Sequence, residues 1–156
     1  MAKRSFIITD SLRADLTQLL ETNRADLVSR YQRVLRESLF SSRSAMRPSM
    51  LPKIASDEAD AFSNFLHQPQ LHAAERGAQL YQTGLSEQPV LRMSQVTRQF
   101  FVSHLENGQI APTLEVIDAY QEGVIQGFIQ SLEKAVFNEQ ERTRHAFERV
   151  VNRNKP

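Results

Sequence analysis

At 156 residues, with 40% hydrophobic and 24% charged side chains, the chain has the size and composition of a single globular domain. Its 19 basic and 18 acidic side chains leave a net charge of +1, so no overall charge attracts it to nucleic acid or anionic membranes. The absence of cysteine excludes disulfides, thiolate metal sites, iron–sulfur clusters and a cysteine nucleophile. Because no apolar run approaches a signal peptide or the roughly 18 residues of a membrane span, we predict a soluble cytoplasmic protein.

Helical periodicity runs along nearly the whole chain, without a convincing strand pattern. The first predicted helix covers residues 10 to 40, and Thr9, Asp10 and Ser11 can each cap its start. A bend is possible near Asn23, where a polar residue interrupts its leucine stripe. Residues 41 to 53 contain several serines and two prolines, which indicates a connection. Its three cations, Arg43, Arg47 and Lys53, are interpreted as solvated side chains, and an anion site is the alternative.

Three further helices are predicted between this connection and residue 105. Ser56 caps the first of them, and the early acids Asp57, Glu58 and Asp60 suit the positive end of its dipole better than a pair of catalytic carboxylates. The next helix opens at Pro69 and ends at Gly84. Ser86 then caps a helix whose apolar stripe ends at Leu105, before "ENG".

The last helix is predicted to start near Pro112 and to continue to Val151, farther than a bundle of this size requires. The sequence therefore predicts an all-α fold: a helical bundle of about five helices with a long C-terminal connector helix. We assign residues 1–137 to a sensor or regulatory bundle. Residues 138–156 are assigned to a helical connector that leads to an output domain or a partner.

Catalytic and metal-binding patterns are absent from the sequence. There is no Gly-x-Ser-x-Gly, phosphate loop or dinucleotide fingerprint, and His67 and His72 have no third metal ligand at a helical interval. We predict a non-catalytic protein with no metal and no cofactor.

Two alternatives come from the stripe that ends at Leu105. His104 lies close to Phe100 and Phe101, so a globin-like pocket for a ligand or haem is one hypothesis, although a partly buried, hydrogen-bonded histidine is the more common environment. The segment "QLYQTGLSEQPVLRMSQV" has the outline of a helix-turn-helix. Leu80 stands where the turn needs a small residue, and Arg92 and Arg98 are the only cations of the second helix, so an ordinary helical corner is favoured over DNA binding.

Two glycines four residues apart, Gly123 and Gly127, lie inside the last helix. Each costs roughly 1 kcal/mol relative to alanine there, so we expect a neighbouring backbone to approach closely. The neighbour is another helix of the domain, the same helix of a second chain or, as a weaker option, a ligand. The residues assigned to packing between helices and to a dimer interface are Ile117, Tyr120, Gly123, Val124, Gly127, Phe128 and Leu132.

The end of the last helix carries eight consecutive polar residues, 138 to 145, before apolar residues return in "HAFERVV". Val136, Thr143 and Val150 are seven residues apart, as are Gln140 and Phe147, which is a weak heptad pattern. A solvated, fraying helix end is one interpretation, and a two-stranded linker helix is the favoured one. Its signal-transmitting residues are Val136, Thr143, Phe147 and Val150.

Together, "ERGAQLYQTGLSEQPVLRMSQVTRQFF" and "TLEVIDAYQEGVIQGFIQSLEKAV" resemble the RsbRD-type N-terminal domain over roughly residues 12 to 136, and RsbU-type phosphatase amino-terminal bundles more loosely. RsbRD-type domains precede bacterial stress-signalling co-antagonists, and similar domains precede sensor kinases. The resemblance implies a non-catalytic, all-helical regulatory module that forms a homodimer and controls an attached output domain or a signalling partner.

Overall fold

The computed structural model describes residues 7–41, 45–69 and 72–153, and within these ranges the chain forms α-helices and no β-strand. The helices are α1 (Asp10–Ser41), α2 (Leu51–His67), α3 (Ala73–Gln82), α4 (Glu87–His104) and α5 (Asn107–Arg153), with a 3₁₀ turn at Pro48–Met50. The prediction of an all-α fold with about five helices and a long last helix is confirmed. Arg43 and the last three residues of the assigned connector lie outside the described residues.

The five helices close a ring of contacts in the order α1, α2, α3, α5, α4 and back to α1. Aromatic side chains fill its centre. Phe62 of α2 lies 5.4 Å from Phe101 of α4 and 5.1 Å from Tyr120 of α5, between ring centroids. These separations suit edge-on or tilted packing, so the aromatic contacts join three helices that are distant in sequence.

Local sequence signals at the start and bend of α1 and at the end of α3 act as predicted. The Thr9 hydroxyl accepts a hydrogen bond from the backbone N–H of Leu12 at 3.3 Å, which caps α1. Asn23 leaves the helical region at φ −117° and ψ 17°, which produces the bend in α1. Gly84 ends α3 with a φ of 86°, a conformation that favours glycine, and Ser86 occupies the N-cap position of α4 with extended backbone.

Three predicted helix starts are wrong. α2 begins at Leu51 and not at Ser56, because the 3₁₀ turn leads directly into it and Pro52 falls in its first turn, where no N–H is needed. α3 begins at Ala73, four residues after Pro69. α5 begins at Asn107, so Pro112 lies inside the helix.

Candidate functional site

Three glycines bring the backbones of α3 and α5 together. A β-carbon on Gly77 of α3 would lie 1.9 Å from the carbonyl oxygen of Val124, and one on Gly127 of α5 would lie 1.9 Å from that of Ala74. A β-carbon on Gly123 would lie 2.5 Å from the β-carbon of Ala73. Only glycine fits this approach, which confirms the predicted close contact with a neighbouring helix backbone and identifies the neighbour as α3.

The predicted packing residues divide into two groups at this contact. Ile117, Tyr120, Val124, Gly127 and Phe128 are buried inside the domain, whereas the side chain of Leu132 is 41% exposed. Because α3 of the same chain covers the two glycines of α5, a second chain could reach them only by displacing α3. Apart from Leu132, the structure therefore places these residues in packing within the domain, and a role of this surface in a dimer stays a prediction.

A buried ion pair connects α2 and α3 beside this contact. The Arg76 Nε atom donates to Glu58 Oε2 at 2.7 Å, its terminal nitrogen donates to the Ile54 carbonyl at 3.1 Å, and the Tyr120 hydroxyl donates to Glu58 Oε1 at 2.9 Å. Both charged side chains are only 6% exposed. A buried pair needs such extra hydrogen bonds to offset its lost hydration, and here they come from α2 and α5.

The interpretation of Glu58 as an acid of a helix N-terminus is wrong, because Glu58 is the eighth residue of α2 and points into the core. Its spacing could have shown this, since Ile54, Glu58, Phe62 and Phe65 follow one helical stripe. Arg76 likewise lies between buried Ala73 and Leu80 at helical intervals.

Two buried tyrosines flank the ion pair. The Tyr31 hydroxyl of α1 lies 2.6 Å from that of Thr97 in α4, and Thr97 in turn donates to the Met93 carbonyl at 3.0 Å. Burial raises the pKa of Tyr31 and of Tyr120 well above the ordinary value, and the negative charge of Glu58 raises both further. Both phenols consequently stay protonated in the folded chain beyond the pH at which they ionise in the unfolded chain.

We expect stability to fall steeply in alkali. Above pH ~10 the unfolded chain loses the two phenolic protons while the folded chain keeps them, so each tyrosine lowers the free energy of unfolding by about 1.4 kcal/mol per pH unit. Urea unfolding at a series of pH values measures this slope, which should flatten by roughly half in Tyr31→Phe. An unchanged slope in that variant would show that Tyr31 ionises as readily in the folded chain as in the unfolded one.

The residues of the ligand-pocket hypothesis are adjacent but do not surround open space. Phe100 and Phe101 have no exposed area, so no water-sized gap touches either ring. His104 is exposed, and its Nδ1 atom lies 2.7 Å from the Phe100 carbonyl oxygen. A partly open cavity lined by Glu58 and Tyr120 has a volume of about 10 Å³, room for one water at most.

The cations weighed for a helix-turn-helix are engaged with acids of neighbouring helices. Arg92 lies 3.7 Å from a carboxylate oxygen of Glu37 in α1, and Arg98 pairs with Asp118 in α5. Leu80, at the position where the motif needs a small residue, is fully buried. The segment packs as a helical corner of the bundle, with its basic side chains directed at the rest of the domain.

The C-terminal half of α5 leaves the bundle. Within the described part of α5, Phe128 is the last buried residue. The 25 helical residues that follow it are called the α5 extension (residues 129–153). At 1.5 Å per residue the extension is about 37 Å long. The predicted connector residues Val136, Thr143, Phe147 and Val150 all lie in it and are exposed.

Exposed large apolar side chains are concentrated on this extension. Of the eleven among the described residues, seven belong to it. They are Ile129, Leu132, Val136, Phe137, Phe147, Val150 and Val151. An apolar surface of this extent on a solvated helix indicates an interaction site.

Within the described residues, no helix is both long and apolar enough to cross a membrane, and no group of three or more histidine, aspartate or glutamate side chains could hold a metal ion. Comparisons with protein-family models, with curated proteins and with solved structures find no match for this chain.

Proposed function

We propose that this chain is a cytoplasmic, non-catalytic input domain of signalling, which forms a homodimer and transmits a stimulus through the α5 extension to an output domain or a partner. The observation that carries the proposal is the extension itself: 25 helical residues without a buried side chain, which bear seven exposed large apolar side chains. The resemblance to RsbRD-type domains adds the bacterial stress-signalling setting to this proposal.

The energetics of isolated helices support a partner for the extension. Most helical stability in proteins comes from packing of an apolar face, and short helices without packing are marginal in water. Ion pairs along the extension, such as Arg144 with Glu141 at 3.0 Å, contribute only a few tenths of a kcal/mol each. Burial of the apolar side chains against a partner supplies the larger stabilisation.

The geometry at the base of the extension supports a transmitting role. Gly127, which contacts α3, lies only two residues before Ile129, the first residue of the extension. The Glu58–Arg76 ion pair holds α3 on α2. Because the α3 and α5 backbones touch without intervening side chains, α5 must move when α3 shifts. A stimulus that stabilises one of two α3 positions by a few kcal/mol would redirect the extension.

The proposed dimer is tested by adding charge to the apolar face of the full-length chain. We expect the unchanged chain to have the mass of a dimer, and Phe147→Asp combined with Val150→Asp to have that of a monomer, because two carboxylates would be buried at the interface. Light scattering after size exclusion, over a concentration series, measures both masses. Circular dichroism checks that the bundle stays folded.

The matched control adds the same two charges elsewhere on the extension. Asn138→Asp combined with Asn152→Asp places them on the opposite side of the helix, and both positions are exposed. This variant should remain a dimer. A monomeric unchanged chain, or equal dissociation of both variants, would contradict the proposed interface.

A further inference from the structure

The exposed residues of the α5 extension follow the spacing of a two-stranded coiled coil. Ile129, Val136, Thr143 and Val150 are seven residues apart, and Glu133, Gln140 and Phe147 alternate with them at steps of three and four. A repeat of 3.5 residues keeps these seven residues, which we call the seam, facing a partner helix. The 25 residues provide about three and a half heptads, in which four of the seven positions are apolar and Glu133, Gln140 and Thr143 are polar.

The residues that flank the seam are complementary under one orientation. In a parallel, in-register dimer, a residue on one side of the seam meets the residue five positions later in the partner helix, on the other side. For this chain those pairs are Leu132 with Phe137, Glu139 with Arg144, and Ala146 with Val151. Two are apolar on both sides and the third joins opposite charges, so no flanking pair is mismatched.

The exposure of the side chains that flank the seam agrees with a parallel dimer. Leu132, Phe137 and Val151 are large apolar residues that the bundle leaves uncovered. Arg144 lies 3.0 Å from Glu141 and 3.8 Å from Glu148 in its own helix, and its side chain is still 61% exposed, so it is accessible to Glu139 of a second copy. Thr143 donates its hydroxyl to the Glu139 carbonyl at 3.0 Å, which leaves its methyl group for the seam.

An antiparallel dimer loses this complementarity. In that arrangement each side of the seam meets the same side of the partner helix. Glu139 of one copy therefore cannot pair with Arg144 of the other, because the two residues lie on opposite sides of the seam. In the parallel register Gln140 meets its own copy, and a polar residue at such a position specifies one register. Glu133 also meets its own copy there, which weakens the seam next to the bundle.

We propose that two copies of this chain associate through their α5 extensions as a parallel, in-register coiled coil, with both bundles at the same end. The inference rests on the proposed function, since it specifies the partner and its orientation. The two bundles then face one another across a two-fold axis, and both extensions deliver their ends to the same place.

Disulfide cross-linking tests the orientation cleanly because the chain has no cysteine of its own. Three full-length variants, Val136→Cys, Thr143→Cys and Val150→Cys, are oxidised separately, and Asn138→Cys and Asn152→Cys serve as controls on the opposite face. Disulfides need α-carbons within about 7 Å, so only residues facing their own copy react. We expect nearly complete dimer cross-links at all three seam positions and at least tenfold slower cross-linking in both controls.

The remaining outcomes separate the inference from the function on which it rests. In an antiparallel dimer the two alternating sets of seam positions face one another, so none of the three seam cysteines cross-links to its own copy. A mixture of the Val136→Cys and Phe147→Cys chains then forms a mixed disulfide when Gln140 faces Thr143. That result overturns the orientation and leaves the dimer intact. A dimer by mass without seam cross-links overturns the seam, and a monomeric chain overturns both proposals.

Discussion

Replacing Gly127 with alanine is expected to lower the free energy of unfolding by about 3 kcal/mol, the upper end of what overpacking usually costs. The new β-carbon would lie 1.9 Å from the Ala74 carbonyl oxygen and 2.6 Å from the carbonyl carbon. These are backbone atoms, so no rotamer change makes room and the two helices must separate. Separation also loosens the packing of Phe128 against Tyr81, whose ring centroids are 5.5 Å apart. Urea unfolding followed by circular dichroism measures the loss.

Gly108→Ala provides the control for the glycine substitution. Gly108 lies in the first turn of the same helix, and a β-carbon added there would have no neighbouring atom within 4 Å. Alanine at this position should leave stability unchanged or raise it by up to about 1 kcal/mol, through helix propensity and a less flexible unfolded chain. If the two variants lose equal stability, the close contact of α3 with α5 is not what requires glycine at position 127.

Replacing Arg76 with methionine should destabilise the fold by about 3–5 kcal/mol, the usual cost of removing one partner of a buried ion pair. The Glu58 carboxylate would keep the Tyr120 hydroxyl as its donor but lose the positive charge 2.7 Å away. It must then remain charged in the core or take up a proton. Chemical unfolding at neutral pH measures the effect.

Two further variants show whether the cost comes from the unpaired charge. Adding Glu58→Met to Arg76→Met removes both charges, and most of the lost stability should return. Arg24→Met breaks the exposed pair of Arg24 with Asp60, at 2.8 Å between α1 and α2, and should cost no more than about 1 kcal/mol. Failure of the double variant to recover stability would mean that the arginine acts through its packing and its bond to Ile54.

Sequence periodicity predicted the helical class and the glycine contact because both depend on local rules. A polar residue in a leucine stripe marked the bend at Asn23, and two glycines inside a helix required a close neighbour. The identity of that neighbour did not follow. Gly77 completes the contact from 46 residues before Gly123, and nothing local links the two positions.

The buried ion pair was missed for a similar reason. Glu58 lies between two other acidic residues of "SDEAD", so its charge was attributed to a helix terminus, whereas its position on the helical stripe of Phe62 and Phe65 placed it inside. The predicted helix starts were wrong where a proline or a polar cluster lies near the beginning of a helix. At Leu51 and Asn107, helix formation begins before the residues that resemble caps.

The continuity of α5 determines how its extension loses helical structure. Starting a helix is costly because several residues must be fixed for the first hydrogen bond, whereas each added residue contributes its own bond. The bundle supplies that start, since Val124 and Phe128 are already fixed in helical conformation when the extension forms. An unpaired extension therefore unwinds from the end farther from the bundle, and its helical length adjusts gradually with temperature while the bundle stays cooperative.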